Sequence, residues 1–136
     1  MIRPYRAADV DALARLRHAL WPEGSVDEHA QELHAMLAWA DYAVLIAERD
    51  GELLGFAEVA LRSRNLGYFE GWYVRDEHRR QGLGAALLHA CEQWARERGC
   101  TEMASDTWLD NEVSQRAHEA LGFEEVERVV NYRKRL

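Results

Sequence analysis

Residues 79–84, "RRQGLG", stand between the apolar-rich run "GYFEGWYV" (67–74) and "AALLHACEQWARE" (85–97), which has the spacing of a helix. A strand, a turn with two glycines and two arginines, and then a helix is an arrangement suited to phosphate. The orphan backbone N–H groups of a first helical turn point outward, and the helix dipole adds partial positive charge. Glycine lets the backbone approach a ligand with no side chain in the way. Arg79 and Arg80 would flank the anion with charge, and Gln81 is long enough to hydrogen-bond it. A plain basic strand-to-helix turn is the simpler reading of the same hexamer. The stretch is neither a P-loop, since G-x-x-x-x-G-K-[ST] is absent, nor the dinucleotide fingerprint G-x-G-x-x-G.

Outward from the turn, the elements alternate. "MIRPY" (1–5) predicts a first strand, with Pro4 near its end or on an edge. Val10, Leu13, Leu16 or Arg17, and Leu20 recur at helical spacing, and "WPEGS" (21–25) ends the pattern. A second helix is expected from about Val26, with Val26, Ala30, Leu33, Leu37 and Ala40 on its apolar stripe. "YAVLIAERD" (42–50) and "LLGFAEVALRS" (53–63) predict two antiparallel strands joined at Asp50-Gly51. "LGYFEGWYVR" (66–75) is a third, which strict alternation divides into Tyr68, Glu70, Trp72 and Val74 on one face and Phe69, Gly71 and Tyr73 on the other. The central helix is expected over 82–98 with Gly99 as its C-terminal cap, followed by a strand at "TEMASDTW" (101–108). Asp110 or Asn111 caps a further helix to about Leu121, and "VERVVNYRKRL" (126–136) predicts a closing strand. The order βααβββαβαβ describes one mixed α/β domain spanning residues 1–136, a length suited to a single core.

Composition narrows the function. Seventeen basic against twenty-four acidic residues give a net charge of −7, which disfavours nucleic acid as a partner and suits a cationic small molecule; equally, it is the charge of an ordinary acidic domain. No run approaches the roughly 20 apolar residues of a membrane span, and the N-terminus lacks a signal-peptide core, so no membrane partner and a cytoplasmic location are expected. The two cysteines, Cys91 and Cys100, have neither disulfide-framework nor zinc-site spacing; both are expected to be buried or half-buried thiols, with no metal bound.

The turn resembles the acetyl-CoA signature of the GCN5-related N-acetyltransferases, R/Q-x-x-G-x-G/A, matched by Arg79, Gly82 and Gly84 with Ala85 continuing. A second motif is independent of it: in "NEVSQRAHEALGF", Asn111 and Ser114 stand in the family's register before Gly122-Phe123, while His118 takes the place of the usual tyrosine. The resemblance implies the GNAT fold, a mixed and mostly antiparallel sheet flanked by helices and splayed between the fourth and fifth strands. It implies acetyl-CoA as cofactor, with the pyrophosphate on the turn formed by Arg79, Arg80, Gln81, Gly82, Leu83, Gly84 and Ala85. The pantetheine arm would pair along Trp72, Tyr73 and Val74, and Asn111, Ser114 and His118 would make further cofactor contacts. At His118 the alternatives are a cofactor hydrogen bond, a half-buried helix histidine, or a proton donor to the leaving thiolate.

Within that family the chain is similar to the aminoglycoside 6′-N-acetyltransferases, through "EGWYV", "MASDT" and "VSQRAHEALGFEEVERVVNYRKR". That likeness implies transfer of acetyl from acetyl-CoA to the 6′-amine of a cationic sugar, directly within a ternary complex. Trp21, Glu70, Asp106 and Glu127 would bind substrate, with Glu70 and Asp106 also catalytic. The chemistry agrees in type, because an ammonium must lose a proton before it attacks a thioester, and acids with an aromatic plane suit a polycation. Plainer roles exist for each: a solvated strand residue for Glu70, a brace for the strand at Asp106, a lid on helix one for Trp21, and one member of an exposed charge run for Glu127. The likeness further implies a homodimer through the C-terminal strands. The branch usually carries a longer segment where this chain has only "LRSRNLGYFEG" (61–71), which implies a more open site, poorer drug binding, broader amine use, or completion by a second subunit. Acetylation of another amine, such as a polyamine or a protein N-terminus, and an acyl-CoA sensor without turnover are the competing functions.

Overall fold

The computed structural model describes all 136 residues, which divide into two compact units, Met1–Asp106 and Thr107–Leu136. In the first, five strands lie in the order β1-β2-β3-β4-β5: β1 (Ile2–Pro4), β2 (Tyr42–Arg49), β3 (Glu52–Leu61), β4 (Leu66–Val74) and β5 (Glu102–Ser105). The first three pairings are antiparallel and β4–β5 is parallel. The helices of this unit are α1 (Val10–Leu20), α2 (Val26–Met36) and α3 (Leu83–Glu97). No helix is long and apolar enough to cross a membrane.

Local chemistry accounts for most boundaries. Ser25 caps α2 by accepting from the Glu28 N–H at 3.1 Å. Asp50 and Gly51 both take positive φ, 53° and 81°, the conformation a two-residue hairpin turn demands. Gly99 (φ 86°) follows the end of α3. The apolar stripes of α1 and α2 close over β2 and β3 in a core of Leu13, Leu16, Leu33, Met36, Val44, Ile46, Leu53 and Phe56. The α2 stripe stops short of its expected end: the helix finishes at Met36, and Leu37 and Ala40 are exposed beyond it.

Two expectations for β4 and β5 are met in an altered form. β5 is shorter than expected, and its ladder with β4 ends at Phe69↔Ser105, where the Ser105 hydroxyl donates to the Phe69 carbonyl at 3.2 Å. β4 runs on to Val74 while β5 does not follow, which is the splay implied by the family fold. Along β3, the register passes from Val59↔Phe69 to Glu58↔Gly71, so Glu70 is an inserted residue without a partner across the ladder. Such a bulge reverses side-chain alternation. The strict division into two faces therefore fails beyond Phe69: Trp72 turns to α3, donating to the Gly84 carbonyl at 3.0 Å and meeting the Phe69 ring at 5.3 Å, while Gly71 faces α1.

The second unit contains α4 (Glu112–Ala120), capped by Asn111, whose side chain accepts from the Ser114 N–H at 3.1 Å. The expected closing strand is not formed: residues 123–136 have no regular structure and join no ladder. Alternating apolar residues favour a strand only when a neighbouring backbone and an apolar surface are available. Here Val126, Val130 and Tyr132 stay exposed.

Beneath the sheet's α1 face lies one buried ion pair. Glu58 is fully buried on β3 and accepts from Arg17 of α1 and from the Tyr42 hydroxyl; Arg17 also reaches Glu32 at 2.8 Å. Burial pushes the Glu58 carboxyl above its ordinary range, against Arg17 and Tyr42, which favour the charged form. Replacing Arg17 with Met should cost about 3–5 kcal/mol in urea unfolding at neutral pH, because it strands a buried carboxylate. In that variant the folded-state pKa of Glu58 rises further, so the deficit should be smallest at low pH and grow as pH rises from the wild-type folded-state value towards the variant's. A deficit that is flat across this range would refute the assignment, and Arg17→Met/Glu58→Gln should recover much of the loss.

Candidate active site

The glycine turn has the backbone geometry of an anion seat. Arg80 and Gly82 hold positive φ, 63° and 81°, with Gln81 between them outside that region. Such alternation turns successive N–H groups into one concavity. Gly82 is also the N-cap of α3 and offers no side-chain cap. The first helical hydrogen bond is from the Ala86 N–H to the Gly82 carbonyl (3.0 Å), so the N–H groups of Leu83, Gly84 and Ala85 emerge without an intrahelical acceptor. A diphosphate fits this donor set by charge and by geometry.

The basic residues divide their work. Arg79 is turned back onto the protein: its Nε donates to the Val74 carbonyl at 2.9 Å, it pairs with Asp76 at 2.9 Å, and its guanidinium lies 5.8 Å from the Tyr73 ring. It fixes the turn to the end of β4. Gln81 is met by Arg49 of the β2–β3 hairpin, whose Nη1 donates to Oε1 at 3.3 Å, adding a cation that the hexamer did not reveal. Gly84 is needed for packing, since a Cβ there would stand 3.1 Å from the Trp72 indole. Trp72 thereby locks β4 to the start of α3, and Tyr73 packs on Phe56 at 6.2 Å.

Glu70 and Asp106, the two acids expected to be catalytic, are linked at the fork through Arg62 and Tyr68. Glu70 projects from the bulge and pairs with Arg62, whose Nη2 lies 2.6 Å and Nε 3.1 Å from Oε1. Asp106, just past the end of β5, accepts from the Tyr68 hydroxyl, and the Arg62 guanidinium lies 4.1 Å over the Tyr68 ring. Burial, and then the bond to Asp106, push the Tyr68 phenol up to about 12, so it remains a donor at neutral pH. The bond to Glu70 holds Arg62 firmly protonated.

Trp21 joins this cluster from α1. Its indole lies against Gly71, next in the chain to Glu70, so closely that a Cβ on Gly71 would stand 2.5 Å from Cη2. Phe56 meets it edge-on at 6.0 Å, and the Arg17 guanidinium lies 5.0 Å from its ring. The buried Glu58–Arg17 pair thus supports the one aromatic expected at the substrate. A lone carboxylate in the apolar "GFAEVAL" was the sequence signal for this pair, because a buried acid requires a partner.

The second unit carries the remaining expected residues. Asn111 is engaged as the α4 cap. The His118 ring contacts the Ser114 carbonyl through Nδ1 at 2.7 Å, meets the Ser114 hydroxyl at 3.3 Å, and packs on Phe123 at 5.1 Å. A carbonyl can only accept, so Nδ1 donates to it, which fixes the ring's orientation on α4. Glu127 is exposed beside the Glu125–Arg128 pair (2.6 Å).

Comparison with known proteins agrees with this geometry. Residues 13–123 match the acetyltransferase (GNAT) family. The chain belongs to that family. A Klebsiella aerogenes protein named aminoglycoside N(6′)-acetyltransferase type 1 is 46% identical over 147 aligned positions, spanning 100% of this chain and 97% of the relative. A Serratia marcescens protein of the same name is 44% identical, spanning 94% of each. Among solved structures, AAC(6′)-Iy in complex with the bisubstrate analogue CoA-S-monomethyl-acetylneamine superposes with a TM-score of 0.93 at 37% identity, covering 100% of this chain and 98% of that one. The apo 6′-N-acetyltransferase AAC(6′)-IG of Acinetobacter haemolyticus gives 0.92 at 35%, covering 100% and 99%.

In this GNAT chain, Gly71→Ala should lower the unfolding free energy by about 1–3 kcal/mol, the usual cost of overpacking. Because the clash is with one indole, Gly71→Ala/Trp21→Leu should be clearly less destabilised than the sum of the two single variants. Additive losses would show that Trp21 does not rest on Gly71.

Proposed function

We propose that this GNAT protein transfers the acetyl group of acetyl-CoA to the 6′-amino group of aminoglycosides. The observation that carries the reading is that one unit holds both halves of a reaction centre: the uncapped nest at the start of α3, and Glu70, Asp106 and Trp21 around the fork where β5 leaves β4. The names of the 6′-N-acetyltransferase relatives support the substrate class. Acetyl-CoA bound there supplies a thioester, an electrophilic carbonyl with a thiolate leaving group.

The chain's own residues do the rest. The nest and the N–H groups of Leu83, Gly84 and Ala85 hold the diphosphate, and the β4 edge beyond the fork, through Tyr73 and Val74, guides the arm towards the acids. Asp106, steadied by Tyr68, binds one ammonium of the sugar, and the face of Trp21 packs on it. Glu70 accepts the proton of the reacting ammonium, directly or through water, so that the free amine attacks. Transfer is direct. Cys91 is buried in α3 and its thiol is pushed well up by burial, so it is no nucleophile at neutral pH. Asn111, Ser114 and His118 are proposed as further cofactor contacts, and Glu127 as a further acidic contact to the sugar.

We further propose that residues 1–136 act as one catalytic domain in a homodimer, because residues 123–136 present Val126, Val130 and Tyr132 to solvent and join no ladder. The cytoplasm suits two reduced, buried thiols. Nucleic acid and membrane have no place in the proposal.

The direct test is thiol release from acetyl-CoA with kanamycin, with its 6′-hydroxyl analogue and with a polyamine. Release with the 6′-amine alone is expected; release with polyamine alone would move the reading to another amine, and none with any amine would leave a CoA-binding sensor. Two variants should separate the halves of the site. Gly82→Val should weaken acetyl-CoA binding, because positive φ is strained for a branched residue and a side chain enters the nest. Asp106→Asn should lower kcat/KM for kanamycin roughly 10- to 100-fold, the worth of a charge-assisted hydrogen bond, and spare acetyl-CoA affinity. A crossed pattern of losses would overturn the division.

A further inference from the structure

Both acids at the fork already have partners within the chain, and the partner of Glu70 is itself a cation. Arg62 donates twice to one Glu70 oxygen and lies over the Tyr68 ring, whose hydroxyl is held by Asp106. A cation between a carboxylate and an aromatic plane is the arrangement that a substrate ammonium would need at the same place. The backbone fixes where this cation starts. Arg62 opens the four-residue connection 62–65 between β3 and β4, and its N–H donates to the Leu66 carbonyl at 3.0 Å, so the side chain leaves the end of β3 on the cluster's side. Arg62 is half-exposed, 51% against 24% for Glu70, so its head can swing into water with no change in the backbone.

We propose that Arg62 is a specificity-determining residue: an internal cation that occupies the ammonium position on Glu70 and yields it only to a substrate that competes successfully. This rests on the assignment of Glu70 to the substrate made above. An exposed ion pair shifts an equilibrium by no more than about fivefold, so the occupant is readily displaced. A polycationic sugar engages Asp106 with a second ammonium and saturates the site despite that factor. A singly charged amine has no second attachment and meets it in full. The short connection between β3 and β4 therefore acts as a filter against simple amines.

The test compares wild type, Arg62→Ala, Glu70→Gln and the double variant in thiol release at low salt, with kanamycin and with a singly charged amino sugar. Arg62→Gln is a second variant that keeps the side chain's length and removes its charge. Both Arg62 variants should lower the KM for kanamycin and for the singly charged amine by the same factor of about two to five, so that at one fixed concentration the singly charged amine, below its KM, gains the full factor in rate while kanamycin, already saturating, gains almost none. Acetyl-CoA affinity should not change. The gain should vanish in the Glu70→Gln background. An unchanged or raised KM, or a gain that persists without the Glu70 charge, overturns the inference while leaving the function intact. Glu70→Gln kinetics equal to wild type would instead overturn the assignment of Glu70, and the inference with it.

Discussion

Glu70 has no partner across the β3–β4 ladder, and the site takes its shape from that one inserted residue. Were the same residues paired in strict alternation with no bulge, Trp72 would share a face with Tyr68 and could not reach Gly84, and Gly71 would turn away from α1. With it, the indole of Trp72 ties β4 to the first turn of α3, holding the anion seat at a fixed distance from the strand. The indole of Trp21 settles on the side-chain-free surface of Gly71, and the carboxylate of Glu70 is left at the fork. Bulges bend a strand and re-aim its side chains, and this one lies where β5 parts from β4. Opening the sheet and aiming the acid are a single local event.

The bulge is held from below by a charge. Glu58 lies opposite Gly71, and a carboxylate buried so deeply is tolerable only with Arg17 and Tyr42 upon it. Arg17 then faces the Trp21 ring, while the Trp21 carbonyl meets His29 Nε2 at 2.9 Å and His29 Nδ1 meets Arg17 Nε at 3.4 Å. An apolar pair of the same volume would pack as well, but would not select one rotamer of Trp21 through directional contacts. The ion pair costs desolvation and contributes orientation.

How much of this was legible in the sequence depends on the range of each interaction. The glycine turn was legible because its function is local: two left-handed residues, an uncapped helix start and nearby arginines are all written within six positions. Asp106 and Glu70 were found by resemblance, which supplies the long-range register that composition lacks. Their partners were missed, because nothing near Arg62 says that residue 70 will face it, and nothing near Arg17 names residue 58. The alternation of "LGYFEGWYV" misled because an inserted residue leaves no mark in a period-two pattern. "VERVVNYRKRL" misled for a different reason: its pattern describes a strand's faces and is silent on whether a partner strand exists in the same chain.

The two halves of the site answer to opposite charges, and the chain keeps them apart with short-range ion pairs rather than distance alone. At the nest, Arg79 is neutralised by Asp76 and turned onto Val74, so the seat's attraction for phosphate comes chiefly from backbone dipoles and from Arg80 and Arg49. At the fork, Arg62 neutralises Glu70. These pairs lower the charge of each half, leaving Asp106 in excess at the fork and Arg80 and Arg49 at the nest, and so soften the repulsion of Glu70 against Asp106 on one side and of clustered arginines on the other. In the proposed reaction, binding at the fork exchanges one cation for another on Glu70. An exchange of that kind favours ligands with several charges, since each added contact is made without a further loss of chain freedom. A nucleotide diphosphate at one end and a polyamino sugar at the other are both ligands of that description.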